Sequence, residues 1–119
     1  MGIFDLFRQK KKERPDYSDV TSYEKAIRKV QAGELELIYL IPRLFDGSES
    51  LDNRSFLPPA SAREKEKYEL IIHDMAFMGG ADRYCCEPHY KGSSLVPATL
   101  DITAVRNGHI SFSVTMEIW

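Results

Sequence analysis

The stretch His109-Ile-Ser-Phe-Ser-Val-Thr-Met-Glu-Ile-Trp119 decides the fold class. Ile110, Phe112, Val114, Met116 and Ile118 alternate with Ser111, Ser113, Thr115 and Glu117. A strict period of two is the pattern of a strand with one packed face and one face left to water or to a partner. Asn107-Gly108 stands directly before it, a pair suited to two-residue hairpin turns because both positions tolerate positive φ. The spacing therefore predicts a second strand over Leu95 to Val105. A third strand is expected over Arg83 to Glu87, followed by the turn Pro88-His-Tyr-Lys-Gly92, and together the three make an antiparallel meander.

Working towards the N-terminus, Ser61 and Glu64 form a capping box and open a helix that Gly79-Gly80 ends. Tyr68, Ile71, Ile72, Met75 and Met78 supply its buried stripe. Arg63 to Lys67 read as a solvated first turn, with Lys65 and Glu69 as a surface pair worth a few tenths of a kcal/mol. Residues 46–60 read as a long polar loop in which Ser55-Phe56-Leu57 is extended. A strand is expected over Leu35 to Phe45, apolar on both faces midway, with Pro42 marking an edge, a bulge or its end. Thr21 with Glu24 makes another capping box, before a helix whose face carries Tyr23, Ala26, Ile27 and Val30 and whose stop is Gly33. The expected fold is an α+β two-layer sandwich: a four-stranded, mostly antiparallel sheet with two helices on one face, over residues 16–119. The Leu35 strand either joins the Arg83 strand through a right-handed parallel crossover or takes the other edge.

Composition narrows the function classes. A chain of 119 residues with 43% hydrophobic residues suits one domain with a real core, which excludes full disorder. Arg8, Lys10, Lys11, Lys12 and Arg14 against Asp5 and Glu13 leave residues 1–14 at +3, so the other 105 residues carry −5. That leader, residues 1–15, has Ile3, Phe4 and Phe7 on one helical face ahead of its basic cluster and Pro15, which suits peripheral docking on a membrane or a partner. Leu6 breaks the myristoylation pattern that Gly2 begins. An isoelectric point of about 5.9 and the lack of a basic stripe argue against nucleic acid. No apolar run is long enough to span a bilayer and no signal peptide is read, so the cytoplasm is expected, where thiols stay reduced.

Residues with chemical potential are sparse. Cys85 and Cys86 are adjacent, and consecutive Cα atoms lie about 3.8 Å apart, too close for an unstrained disulfide. Cys86 and His89 have the spacing of two zinc ligands across a turn, with Glu87 or His109 as further donors, but the second ligand pair of a structural zinc site is missing. His73 lies beside the expected buried stripe. The glycines match no phosphate-binding loop, and no metal or other cofactor is expected. Asp46, Glu49 and Asp52 crowd the long loop, and Tyr84, Tyr90 and Trp119 sit on strands or turns where exposure would suit recognition of a protein.

Phe56-Leu57-Pro58-Pro59, the run Glu87-Pro-His-Tyr-Lys-Gly-Ser-Ser-Leu-Val-Pro97, the ending Glu117-Ile-Trp119 and the leader Met1-Gly-Ile-Phe-Asp-Leu-Phe7 resemble small uncharacterised bacterial cytosolic proteins. Some of these look like the immunity proteins of polymorphic toxin systems. The resemblance covers residues 35–119 and implies a single α+β domain that acts by binding a protein, with no catalytic residues to carry over. The expected interface is Asp46, Glu49, Asp52, Tyr84, Tyr90 and Trp119, and the expected partner is a protein, with steering by the acidic body. Homodimerisation by strand addition at an open meander edge is compatible with the pattern. Two other readings are a ligand-binding or metal-dependent site built from His73, Cys86 and His89, and a peripheral membrane protein held through residues 1–14.

Overall fold

The computed structural model describes residues 15–119. The leader, but for Pro15, lies outside the described residues. The class is α+β: helices α1 (Tyr23–Gln31) and α2 (Pro59–Phe77) with strands β1 (Glu36–Tyr39), β2 (Arg54–Leu57), β3 (Arg83–Tyr90), β4 (Pro97–Arg106) and β5 (His109–Glu117). The single four-stranded sheet is not what forms. The strands make two antiparallel sheets, a ribbon β1-β2 and a meander β3-β4-β5. The meander follows the reading of the last third, with Asn107 at φ 51° and Gly108 at φ 79° as both turn residues require, except that β3 runs on through Pro88 and His89 to Tyr90, where a turn was expected.

The Leu35 strand pairs with neither edge of the meander. It ends at Tyr39, short of the expected Phe45, and turns back on residues that read as loop, with Glu36 opposite Leu57 and Tyr39 opposite Arg54. Asn53 makes this return possible. Its Oδ1 accepts the Ile41 N–H at 2.9 Å, and its Nδ2 donates to the carbonyls of Ile41 and Ser48 at 2.9 and 2.6 Å. Its backbone carbonyl also accepts the Leu40 N–H. One nearly buried amide thus replaces ladder bonds that the chain gives up at Pro42, where a short 3-10 turn (Arg43–Phe45) begins. Gly47 packs so tightly beneath it that a Cβ there would stand 1.7 Å from the Ile41 carbonyl oxygen.

Both helices start at other residues than the capping boxes suggest. α1 is capped by Ser22, whose Oγ accepts the Lys25 N–H, while Glu24 reaches forward to Arg28 instead of back to Thr21. α2 starts ahead of Ser61, because Pro58 is extended and Pro59, with its fixed φ, takes the first helical position. The C-termini agree with the sequence: Gly33 and Gly79 take positive φ, and the bonds Glu34 N–H to Lys29 and Gly80 N–H to Met75 close both ends in Schellman form.

Helix α2 turns Tyr68, Ile72 and Met75 of the expected stripe to the core but leaves Ile71 and Met78 outside it. Ala62, Lys65 and Ile72 are buried, with Tyr68 and Met75 packed beside them, while Ile71 is exposed and Met78 is 81% exposed. Lys65 is only 2% exposed. Its ammonium donates to the Tyr39 carbonyl at 2.9 Å and to the Glu69 carboxylate, and stands 5.7 Å above the Tyr84 ring. The expected surface pair is a buried one.

Two cores result. Leu57, Ile72, Tyr84, Leu100, Ile102 and Met116 belong to the larger, which α2 covers. Val20, Ala26, Leu35, Phe56 and Val96 form the smaller, under α1. Neighbouring residues of a strand point to opposite sides, so Phe56 and Leu57 place β2 between the two cores. No helix among the described residues is long and apolar enough to cross a membrane.

Removing one partner of a buried ion pair strands the other charge, whereas an apolar replacement of both removes the demand. Lys65→Ala is therefore expected to lose about 3–5 kcal/mol in urea unfolding, and Lys65→Met combined with Glu69→Leu to recover most of it.

Candidate functional site

Between α1, β2 and the turn after β3 lies a cleft of about 490 Å³, lined by Tyr23, Leu51, Arg54, Ser55, Phe56, Tyr90 and the backbone of Gly92 to Leu95. Its walls are held in place. Arg54 donates through Nη1 to the Tyr23 hydroxyl at 3.1 Å and through Nε to the Glu49 carbonyl at 2.9 Å. The hydroxyls of Ser55 and Tyr90 share a hydrogen bond of 3.0 Å. Phe56 forms the floor, edge-on to Tyr23 with ring centres 5.5 Å apart. Ser94 fixes the far wall by donating to the Tyr17 carbonyl and accepting the Val96 N–H. Leu51, 70% exposed, stands at the rim. Two anchored tyrosines, an arginine with donors to spare and an exposed leucine make a pre-organised apolar slot with a polar lip, suited to gripping a side chain at small entropic cost.

Of the six residues expected at an interface, Tyr90 is in this cleft and Asp52 follows its rim residue Leu51. The loop carboxylates diverge instead of forming one acidic patch. Glu49 is paired with Arg43 at 3.1 Å, Asp52 accepts the Ser50 hydroxyl, and Asp46 lines a separate hollow with Leu44, Asp82 and Arg83. Trp119 is half-buried at the end of the meander, its indole N–H donating to the Val96 carbonyl and its ring edge-on to Tyr17, with the Lys91 ammonium 4.8 Å above it. Tyr84 is no surface residue. It is 5% exposed and stacks on Phe45 at 4.7 Å, because its position on β3 faces α2. Tyr23, Arg54 and Leu51 were missed as site residues. Tyr23 read as part of a helix face and the other two as loop, and only the fold of 54–57 into a strand brings them to Tyr90.

His73, Cys86 and His89 are not brought together. His73 is exposed on α2, edge-on to Phe45 at 6.2 Å. Cys86 packs against the larger core. His89, three residues on, belongs to the opposite face of β3, where its Nε2 and the Asp101 carboxylate are 2.8 Å apart. Hydrogen bonds from Thr115 and from His89 hold the Asp101 carboxyl below the usual carboxylate range. Burial pushes the Cys86 thiol up to about 11, against the pull of the Lys65 ammonium, so at neutral pH it is a protonated and poorly nucleophilic group. Among the described residues no three His, Cys, Asp or Glu side chains gather in one place to hold a metal.

No protein family matches the chain, and no match was found among curated proteins or solved structures.

Two outcomes test this description. The buried Tyr84 hydroxyl has no well-formed hydrogen bond among the described residues, only the weak Cys86 thiol beside it. An unpaired buried hydroxyl costs about 1–3 kcal/mol, so Tyr84→Phe is expected to raise the urea midpoint while most core substitutions lower it. The Cys86 thiol titrates near 9.0 unfolded and about 11 folded, so the folded state holds its proton more tightly. Stability is then unaffected by this group below pH 9 and falls by on the order of 3 kcal/mol as pH rises to 11. Burial raises the Tyr84 phenol in the same sense, adding to the loss above pH 10. Denaturation from pH 8 to 11, with Cys86→Ala as the control that removes the first part of the fall, reads this directly.

Proposed function

We propose that this protein is a non-enzymatic binding module that grips a partner protein through the cleft between α1, β2 and the turn 91–95. The observation that carries the reading is the anchoring of both tyrosines: Tyr23 by Arg54 and Tyr90 by Ser55. Tyrosine and arginine dominate interface hot spots because they bring large contact area with few rotors to freeze. An apolar or aromatic side chain of the partner enters between Tyr23 and Tyr90 over Phe56. Arg54 and the backbone of the turn satisfy its polar surroundings, and Asp52 beside the rim favours basic neighbours. The acidic body, −5 over residues 15–119, speeds the encounter with a basic partner.

In its sharper form the partner is a toxin domain, the chain acts in the cytoplasm as the immunity protein that occludes it, and Cys85 and Cys86 stay thiols there. A non-enzymatic role is supported by the state of the reactive groups: the Cys86 thiol is held protonated and Lys65 is satisfied by Tyr39 and Glu69.

A photo-crosslinking residue in place of Leu51, in the cells that make the protein, is expected to give one discrete protein adduct. Tyr90→Ala should abolish it, and high salt during capture should reduce it. The same crosslinker at Thr103, on the opposite face of the meander, should give none. No protein adduct at position 51 would refute the reading. A partner so identified is expected to arrest growth when produced alone and to be harmless when this chain is produced with it.

A further inference from the structure

Helix α2 carries a second stripe that its packing does not use. Lys67, Leu70, Ile71, Asp74, Phe77 and Met78 repeat at i, i+3, i+4, i+7, i+10 and i+11, so they share one face. That face points away from Tyr68, Ile72 and Met75, which pack on the larger core. All six residues are exposed, Leu70 by 60% and Phe77 by 86%. A helix apolar on two sides calls for a cover on both. The four apolar side chains leave on the order of 500 Å² open, at the upper end of the patches that single domains carry. Two copies joined there bury about twice that area, close to the ~1,000 Å² that a specific interface needs.

The two charges of the stripe choose the occupant. Lys67 and Asp74 stand two helical turns apart, about 10 Å along the axis, too far to meet one another. Arg63, Lys65, Glu66 and Glu69 of the same helix are all paired within the fold. Among the described residues, neither Lys67 nor Asp74 has an ion-pair partner, and the Lys67 ammonium only overhangs the Tyr68 ring at 5.1 Å. A cover that answers both must bring an acid and a base at this same spacing, beside apolar residues. A second α2 running antiparallel does so. Leu70 then lies against Ile71 of the second copy, Lys67 beside its Asp74 and Asp74 beside its Lys67, and the two-fold axis makes each contact twice. Parallel helices would set lysine on lysine and aspartate on aspartate. Phe77 and Met78 extend to the first turns of the second helix, where the small, exposed Ala60 leaves room. The basic leader finds no acidic rim here, because Arg63 and Lys67 offset Glu64 and Asp74. The β5 edge is less suited to a second copy, because its register with β4 shifts between Ala104 and Val105, and such bulges blunt an edge.

We propose that this protein is a homodimer joined through the outer face of α2, with the two helices antiparallel and Lys67 and Asp74 in reciprocal contact. The stripe shares no residue with the tyrosine cleft, so the dimer does not rest on the protein-binding reading and leaves both clefts open.

Sedimentation equilibrium of the full chain over a concentration series tests this. A monomer–dimer equilibrium is expected. Phe77→Glu, at an exposed position, should weaken it by about tenfold or more while circular dichroism shows the fold intact. Lys67→Asp and Asp74→Lys should each weaken it about tenfold, and the two changes in one chain should restore it. A photo-crosslinking residue in place of Met78 should join two copies near Ala60. A monomer at every concentration, a dimer indifferent to Phe77→Glu, charge reversals that do not rescue one another, or a dimer weakened only by Ser113→Pro at the β5 edge would overturn the proposal. A crosslink from position 78 to residues 1–14 of the same chain would also overturn it and assign the stripe to the leader.

Discussion

A buried ammonium group ties the helix over the larger core to the edge of the ribbon. Lys65 leaves the helix that covers the larger core and ends on the carbonyl of Tyr39 at the edge of the ribbon. A charge that deep must be answered, and Glu69 answers it one turn along the same helix. The pair orients α2, because the face that carries Lys65 has to look at β1. That rotation sends Ile71 and Met78 outward and brings Ile72 and Met75 inward. The same contact blunts one end of the β1 edge.

The ribbon depends on that tie and in turn builds the cleft. β2 lies between the cores, with Phe56 in one and Leu57 in the other. Phe56 is the floor under Tyr23, and its neighbours Arg54 and Ser55 hold the two tyrosines. The loop before β2 is long, yet Asn53 pins it at three points and Gly47 allows the close approach that the pinning needs. The cleft therefore sits on rigid parts, although four of its ten lining residues belong to a stretch that reads as loop.

The meander was legible because its signals are local: strict alternation in β5, positive-φ residues at 107–108, and glycines after each helix. What lay beyond the sequence turned on long-range partners. Leu35 to Phe45 has the composition of a central strand, but its partner is Arg54 to Leu57, selected by one asparagine whose side chain copies backbone bonding. Lys65 sits within a run of charges, and nothing local separates a solvated lysine from a buried one; only the open carbonyl of Tyr39 does. Tyr84 misled for the same reason. Of the residues expected at an interface, Tyr90 lines the cleft, Asp52 only adjoins its rim residue Leu51, and Tyr84 is buried. Arg54 and Tyr23 could be found only after the ribbon was in place.

The turn that follows Tyr90 is held to the segment before α1 by contacts that span much of the chain. The Leu95 N–H reaches Val20 at 2.8 Å, and the Ser94 hydroxyl reaches the Tyr17 carbonyl across 77 positions of sequence. Hairpins such as β4–β5 close in about 1–10 μs, whereas an end-to-end closure of this kind must wait for both parts to form. The segment carrying α1 rests on the small core of Val20, Ala26, Leu35, Phe56 and Val96. Tyr23 and the turn 92–95, which line one slot, are therefore supplied by parts of the chain far apart in sequence, and the slot keeps its shape only while both are docked.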